Sequence, residues 1–84
     1  MNANALVEET YYEDHRLRLG SKIRELREKK GYSQKKLADV MKVSRTTISK
    51  IESGKYNLSV DYLTKFSWFL GFNLNISENK TNSK

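Results

Sequence analysis

The chain has 84 residues, no Cys, one His and a formal net charge of +6, which leaves room for one small domain and none for a second core. Without Cys there is no disulfide scaffold, thiol nucleophile or thiolate metal site, and the lone His15 makes no His-paired site, so neither a metal nor a cofactor is expected. The longest mainly apolar run, Phe66 to Phe72, is far short of the roughly 20 residues that span a bilayer.

The chain opens on an acidic stretch. Glu8, Glu9, Glu13 and Asp14 face no Lys or Arg within residues 1–15, giving −4 there and no basic start of the kind a signal peptide needs. Residues 1–11 show no stable periodicity and are read as a flexible segment ahead of a domain spanning residues 12–71. Thr10 with Glu13 has the spacing of a capping box, and Leu19, Ile23 and Leu26 keep one apolar face until Gly31. A first helix is therefore predicted to start between Tyr11 and Leu17. Gly20 inside it costs about 1 kcal/mol relative to Ala.

Ser33 is placed to cap a second helix, Gln34 to Met41, whose Leu37, Ala38 and Met41 share one side. Ser44 caps a third, Arg45 to about Ser53, with Ile48 and Ile51 turned inward and Gly54 as its stop. Neither helix is long enough to stand alone, and only Lys42 and Val43 lie between Met41 and the second cap, so a helix-turn-helix is the natural reading. Ser59 caps a fourth helix, Val60 to Leu70, with Leu63, Phe66 and Leu70 as its core stripe and Gly71 as its stop.

After Gly71 the period changes to two. Phe72, Leu74 and Ile76 alternate with Asn73, Asn75 and Ser77, which predicts a strand over residues 72–77. The chain offers it no second strand, so its pairing edge belongs to another subunit or a partner protein; an extended arm lying on the chain's own helices is the alternative. Tyr62, Trp68 and Phe69 extend the apolar side of the fourth helix, and with Phe72, Leu74 and Ile76 they form the expected homodimer interface. Residues 78–84 are almost wholly polar and expected to be disordered. The fold class that results is all-α: a compact domain of four to five helices with a short C-terminal β-strand paired across a dimer.

The positive charge sits in the middle. Residues 16–56 carry thirteen Lys and Arg against Glu25, Glu28, Asp39 and Glu52, a net of +9, whereas residues 57–84 hold only +1. Such a stretch collects polyanions, nucleic acid foremost; a merely solvated face is the plain alternative. The third helix separates the two. Arg45, Thr46, Thr47, Ser49 and Lys50 are polar or basic opposite Ile48 and Ile51, a surface able to reach base edges and phosphates. Lys55, just past the helix stop, is placed for a backbone contact, with Ser33, Ser44 and Tyr56 beside it as further phosphate candidates.

From Leu19 to about Phe72 the text "LGSKIRELREKKGYSQKKLADVMKVSRTTISKIESGKYNLSVDYLTKFSWFLGF" resembles the Cro/CI-type helix-turn-helix family of repressor-like DNA-binding domains. Gly31, Ser33 with Gln34, Leu37 with Ala38, Val43 with Ser44, Ile48 with Ser49, Ile51 with Glu52, Gly54 with Lys55, and Leu70 with Gly71 fall at the family's spacing. The resemblance implies a repressor-like domain that docks its third helix in the major groove. By similarity, Arg45, Thr46 and Lys50 are base contacts, and Thr47 and Ser49 join Ser33, Ser44, Lys55 and Tyr56 along the DNA backbone. Gln34 resembles the family's Gln that holds a phosphate and buttresses the recognition helix, and Arg27 with Glu52 matches its ion pair between the first and third helices. The final strand is also similar to that of the HipB-like antitoxins.

The function expected is a sequence-specific, double-stranded DNA-binding transcriptional regulator, a repressor reading a palindromic operator in a bacterial or phage cytoplasm at the nucleoid. The alternatives are an antitoxin that autoregulates its operon and has a toxin as second partner, a phage or restriction-system controller, and a protein-interaction module that has lost DNA binding. Neither an enzyme nor a membrane protein is expected.

Overall fold

The computed structural model describes residues 3–78. Four helices succeed one another: α1 (Ala3–Lys29), α2 (Gln34–Met41), α3 (Arg45–Glu52) and α4 (Val60–Leu70). The last three start where a serine in extended conformation turns its hydroxyl back on the helix. Ser33 Oγ accepts from the Lys36 amide at 3.0 Å, Ser44 Oγ from Thr47 at 3.0 Å and Ser59 Oγ from Tyr62 at 3.1 Å. Each such cap contributes about 1 kcal/mol.

The helices also end alike. An amide five residues beyond its acceptor closes each one: Tyr32 to the Arg27 carbonyl, Val43 to Ala38, Lys55 to Lys50 and Phe72 to Ser67. This closure needs a left-handed residue, which Gly supplies after α1, α3 and α4. After α2 the position falls to Lys42, at φ 60°, a conformation that costs a side-chain-bearing residue roughly 1–2 kcal/mol. The short connection into α3 imposes that cost on a residue other than glycine.

Ile23, Leu37, Ala38, Met41, Ile48, Ile51, Phe66 and Leu70 form one buried cluster drawn from all four helices. Leu19, Leu26, Tyr62, Phe69 and Phe72 pack around it half-buried. Gly20 is buried as well, at the point where α1 crosses the end of α3. A Cβ there would lie 2.8 Å from the Glu52 carbonyl oxygen and closer still to that of Ile51. The glycine is therefore a close-approach site between two backbones, and its cost in helix propensity is offset by that contact.

Three expectations are corrected. First, α1 begins at Ala3, upstream of the range Tyr11 to Leu17 and within the segment read as flexible. Residues 6–13 are all exposed, so no buried stripe marks them as helix in the sequence; local pairs one turn apart support it instead. The Tyr12 hydroxyl donates to Glu8, which holds the phenol above its usual pKa, and Arg18 pairs with Asp14 at 2.9 Å. Second, Thr10 is not a cap: its hydroxyl donates to the Leu6 carbonyl at 3.0 Å inside the helix.

Third, residues 72–78 form neither strand nor helix. A strand exists only against a second edge, and the described residues contain none. Phe72 packs half-buried on the core, while Leu74 and Ile76 are exposed, Ile76 almost completely, at 99%. The tail expected to be disordered falls, from residue 79 on, outside the described residues.

Candidate nucleic-acid interface

Helix α3 divides cleanly. Ile48, Ile51 and Glu52 are buried, while Arg45, Thr46, Ser49 and Lys50 are exposed. The period of 3.6 residues places these four on one side, and with Ser53 and Lys55 they line a shallow concavity of about 390 Å³. The structure thus brings all three expected base-contact residues, Arg45, Thr46 and Lys50, onto one surface with Ser49 and Lys55.

Ion pairing decides how positive that surface is. All four acids of residues 16–56 are occupied by bases of the same stretch: Glu25 by Lys22 at 3.1 Å, Glu28 by Arg24 at 3.4 Å, Asp39 by Lys35 at 3.2 Å and Glu52 by Arg27 at 2.6 Å. Exposed pairs of this kind add only a few tenths of a kcal/mol to stability. Their consequence lies elsewhere. Among the described residues Arg45, Lys50 and Lys55 enter no ion pair, nor do Arg16, Lys29, Lys30, Lys36 and Lys42, so the outer side of α3 and the turn after it carry three uncompensated cations.

Beneath this surface the Glu52 carboxylate is held from three sides. Arg27 donates from Nε at 2.6 Å and from Nη2 at 3.1 Å, and Gln34 Nε2 donates at 3.1 Å. Arg27 also donates from Nη1 to the Tyr32 carbonyl at 2.8 Å. The hydrogen bond to Glu52 raises the Arg27 pKa above its ordinary value, although burial works in the opposite sense. The cluster ties the end of α1, the turn after it and the start of α2 to the last residue of α3. Every buried side-chain polar atom among the described residues has a hydrogen-bond partner, so the network fixes the helix without leaving a lone pair stranded.

The remaining candidates fall into two groups. Ser33 and Ser44 are helix caps whose residues stay exposed, and Thr47 is half-buried with its hydroxyl 2.8 Å from that of Ser44. Tyr56 is half-buried against the core, edge to face with Tyr62 at 6.0 Å between ring centroids. Of the expected dimer residues, Tyr62, Phe69 and Phe72 pack partly on the core of their own chain, whereas Trp68 is 82% exposed and Leu74 and Ile76 lie open.

A second concavity, about 620 Å³, adjoins the first and is lined by Glu13, Arg16, Leu17, Ser53, Gly54, Lys55 and Asn57. Sequence reasoning does not reach Arg16 and Asn57, because no local pattern links a residue early in α1 to the loop after α3. Among the described residues no group of three or more His, Cys, Asp or Glu is placed to hold a metal ion, and no helix is long and apolar enough to cross a membrane.

Residues 23–76 match the family model described as helix-turn-helix. Over 62 residues the chain is 42% identical to the control protein C.MunI of a Mycoplasma species, covering 73% of this chain and 84% of that protein. Over 57 residues it is 46% identical to the control protein C.BamHI of Bacillus amyloliquefaciens, covering 67% and 70%. A stretch of 42 residues, half of this chain, is 45% identical to a Pyrococcus furiosus protein named as an HTH-type transcriptional regulatory protein, of which it covers 13%.

Proposed function

The chain belongs to the helix-turn-helix family and is a DNA-binding transcriptional regulator, and we propose that it acts as a two-fold homodimer, a repressor that occupies a palindromic operator with α3 in the major groove. The observation that carries this reading is the single polar surface on which Arg45, Thr46, Ser49 and Lys50 of α3 stand together with Ser53 and Lys55, opposite the buried Ile48 and Ile51. A duplex that docks on such a surface gains by releasing counterions from its phosphates.

Arg45 is assigned to a guanine, whose O6 and N7 match its two-pronged donor set and supply about 1–3 kcal/mol of discrimination. Thr46 and Lys50 read neighbouring base edges. Ser33, Gln34, Ser44, Thr47, Ser49, Lys55 and Tyr56 are assigned to the sugar-phosphate backbone. For Gln34 the side-chain NH₂ has two hydrogens; one goes to Glu52, and the other remains for a phosphate. The dimer is assigned to Trp68, Leu74 and Ile76, with residues 72–77 of two copies giving each other the edge that one chain lacks. Such a dimer sets its recognition helices about 34 Å apart.

The likeness to two proteins named as control proteins, over 84% and 70% of their lengths, favours a controller over an antitoxin with a toxin partner. The setting assigned to it is the cytoplasm of a bacterium or a phage-infected cell, at the nucleoid. Selection from random duplex DNA at near-physiological salt tests the reading, run beside an Arg45→Ala/Lys50→Ala variant. The expected result is an enriched palindrome that the variant fails to select; unselective binding by the unaltered chain would overturn it.

A further inference from the structure

We infer that the groove between α1 and the loop after α3 is a second phosphate-binding subsite, in which Arg16 grips the DNA backbone while Glu13 limits the grip. The inference rests on the DNA-binding reading and extends it to a part of α1 outside the helix-turn-helix. Its first support is continuity. Ser53 and Lys55 line both this groove and the concavity on α3, so a duplex lying on the one runs directly onto the other.

Helical geometry gives the second support. Gly20, one turn after Arg16 and on the same side of α1, lies against the carbonyls of Ile51 and Glu52. One turn earlier, the same side of α1 meets the loop after α3, and there Arg16 lines the groove with Ser53, Gly54, Lys55 and Asn57. The helix contact that requires glycine at position 20 therefore also positions Arg16. The Ser53 hydroxyl already donates to the Lys50 carbonyl at 3.1 Å. Arg16, Lys55 and the Asn57 amide are the donors left for a ligand, a guanidinium, an ammonium and an amide, and the two cations suit an anion that bridges them.

Charge is the third support. Arg18, two residues away, pairs with Asp14 at 2.9 Å, but among the described residues Arg16 enters no ion pair. Glu13 lines the same groove and likewise enters none. A carboxylate beside a phosphate subsite repels the ligand it borders. The groove thus combines a cation that attracts any duplex with an acid that attenuates the attraction, and both act without regard to sequence.

The test is equilibrium binding of the full chain, by fluorescence anisotropy over a range of salt, to the selected operator and to a random duplex. Arg16→Ala is expected to weaken both duplexes several-fold and to equal degree, and to reduce the salt slope by about one unit. Arg16→Lys retains most of the affinity. Glu13→Gln strengthens both complexes with their ratio unchanged, and Arg18→Ala leaves the slope where it was. Arg45→Ala/Lys50→Ala on the same duplexes keeps the two readings apart. If that variant loses operator binding while Arg16→Ala and Glu13→Gln change nothing, the groove is no subsite; if the Arg45/Lys50 variant binds as before, the α3 reading itself fails.

Discussion

At Gly20 the backbone of α1 is the contact surface. Helix propensity alone predicts that Gly20→Ala stabilises the chain by roughly 0.5–1 kcal/mol. The structure predicts the opposite, because the added Cβ meets the carbonyl oxygens of Ile51 and Glu52, and neither belongs to a side chain that can swing away. Overpacking against such a wall costs about 1–3 kcal/mol. Any retreat of α1 also strains the buried pair between Arg27 and Glu52. A urea denaturation curve should therefore show Gly20→Ala less stable by at least about 1 kcal/mol. A gain would mean that the two helices do not meet at this residue. The sequence displays a glycine inside a helix here, and only the fold reveals which partner demanded it.

At the scale of elements, legibility follows burial. Helices α2 and α4 have the predicted limits, and α3 ends within a residue of its own, because each has a serine cap and a buried stripe at helical spacing. Helix α2 keeps its limits although Lys42 rather than a glycine closes it. Where buried contacts are missing, the reading fails. Residues 6–13 of α1 are all exposed, so apolar periodicity has nothing to report there. The interface is legible to the same degree. Arg45, Thr46 and Lys50 are neighbours on one helix, whereas Arg16 and Lys55 meet only after α1 has packed on α3.

The exposed start of α1 has an energetic consequence. An isolated helix of this length is marginal in water, and residues 6–13 make no buried contact that would hold it. A chain shortened to begin at Asp14 is expected to unfold within about 0.5 kcal/mol of the full chain in urea. Far-UV circular dichroism should register the lost helical residues at the same time. A large fall in stability would show that this segment packs on the domain.

For the whole molecule, the proposed dimer calls on two surfaces. One is the cationic side of α3; the other is assigned to Trp68, Leu74 and Ile76, which are all exposed in the single chain. A small domain gains much from covering such residues, and the area involved constrains how. A Trp buries about 150–250 Å², so two copies of Trp68 fall well short of the roughly 1,200–2,000 Å² of a stable interface. In the proposed dimer the segment after Gly71 contributes further area. Deleting that segment would also remove Phe72 from the core, which confuses association with folding. Leu74→Asp/Ile76→Asp avoids the difficulty, because both side chains are exposed in one chain and their replacement should change monomer stability by no more than about 0.5 kcal/mol. Sedimentation equilibrium is expected to give a concentration-dependent dimer for the unaltered chain and a monomer for the double variant. On a full palindrome the variant should lose affinity, while a single half-site, which engages one copy of α3, binds both proteins alike. A variant that remains dimeric would move the interface off the C-terminal segment and onto the surface of α4.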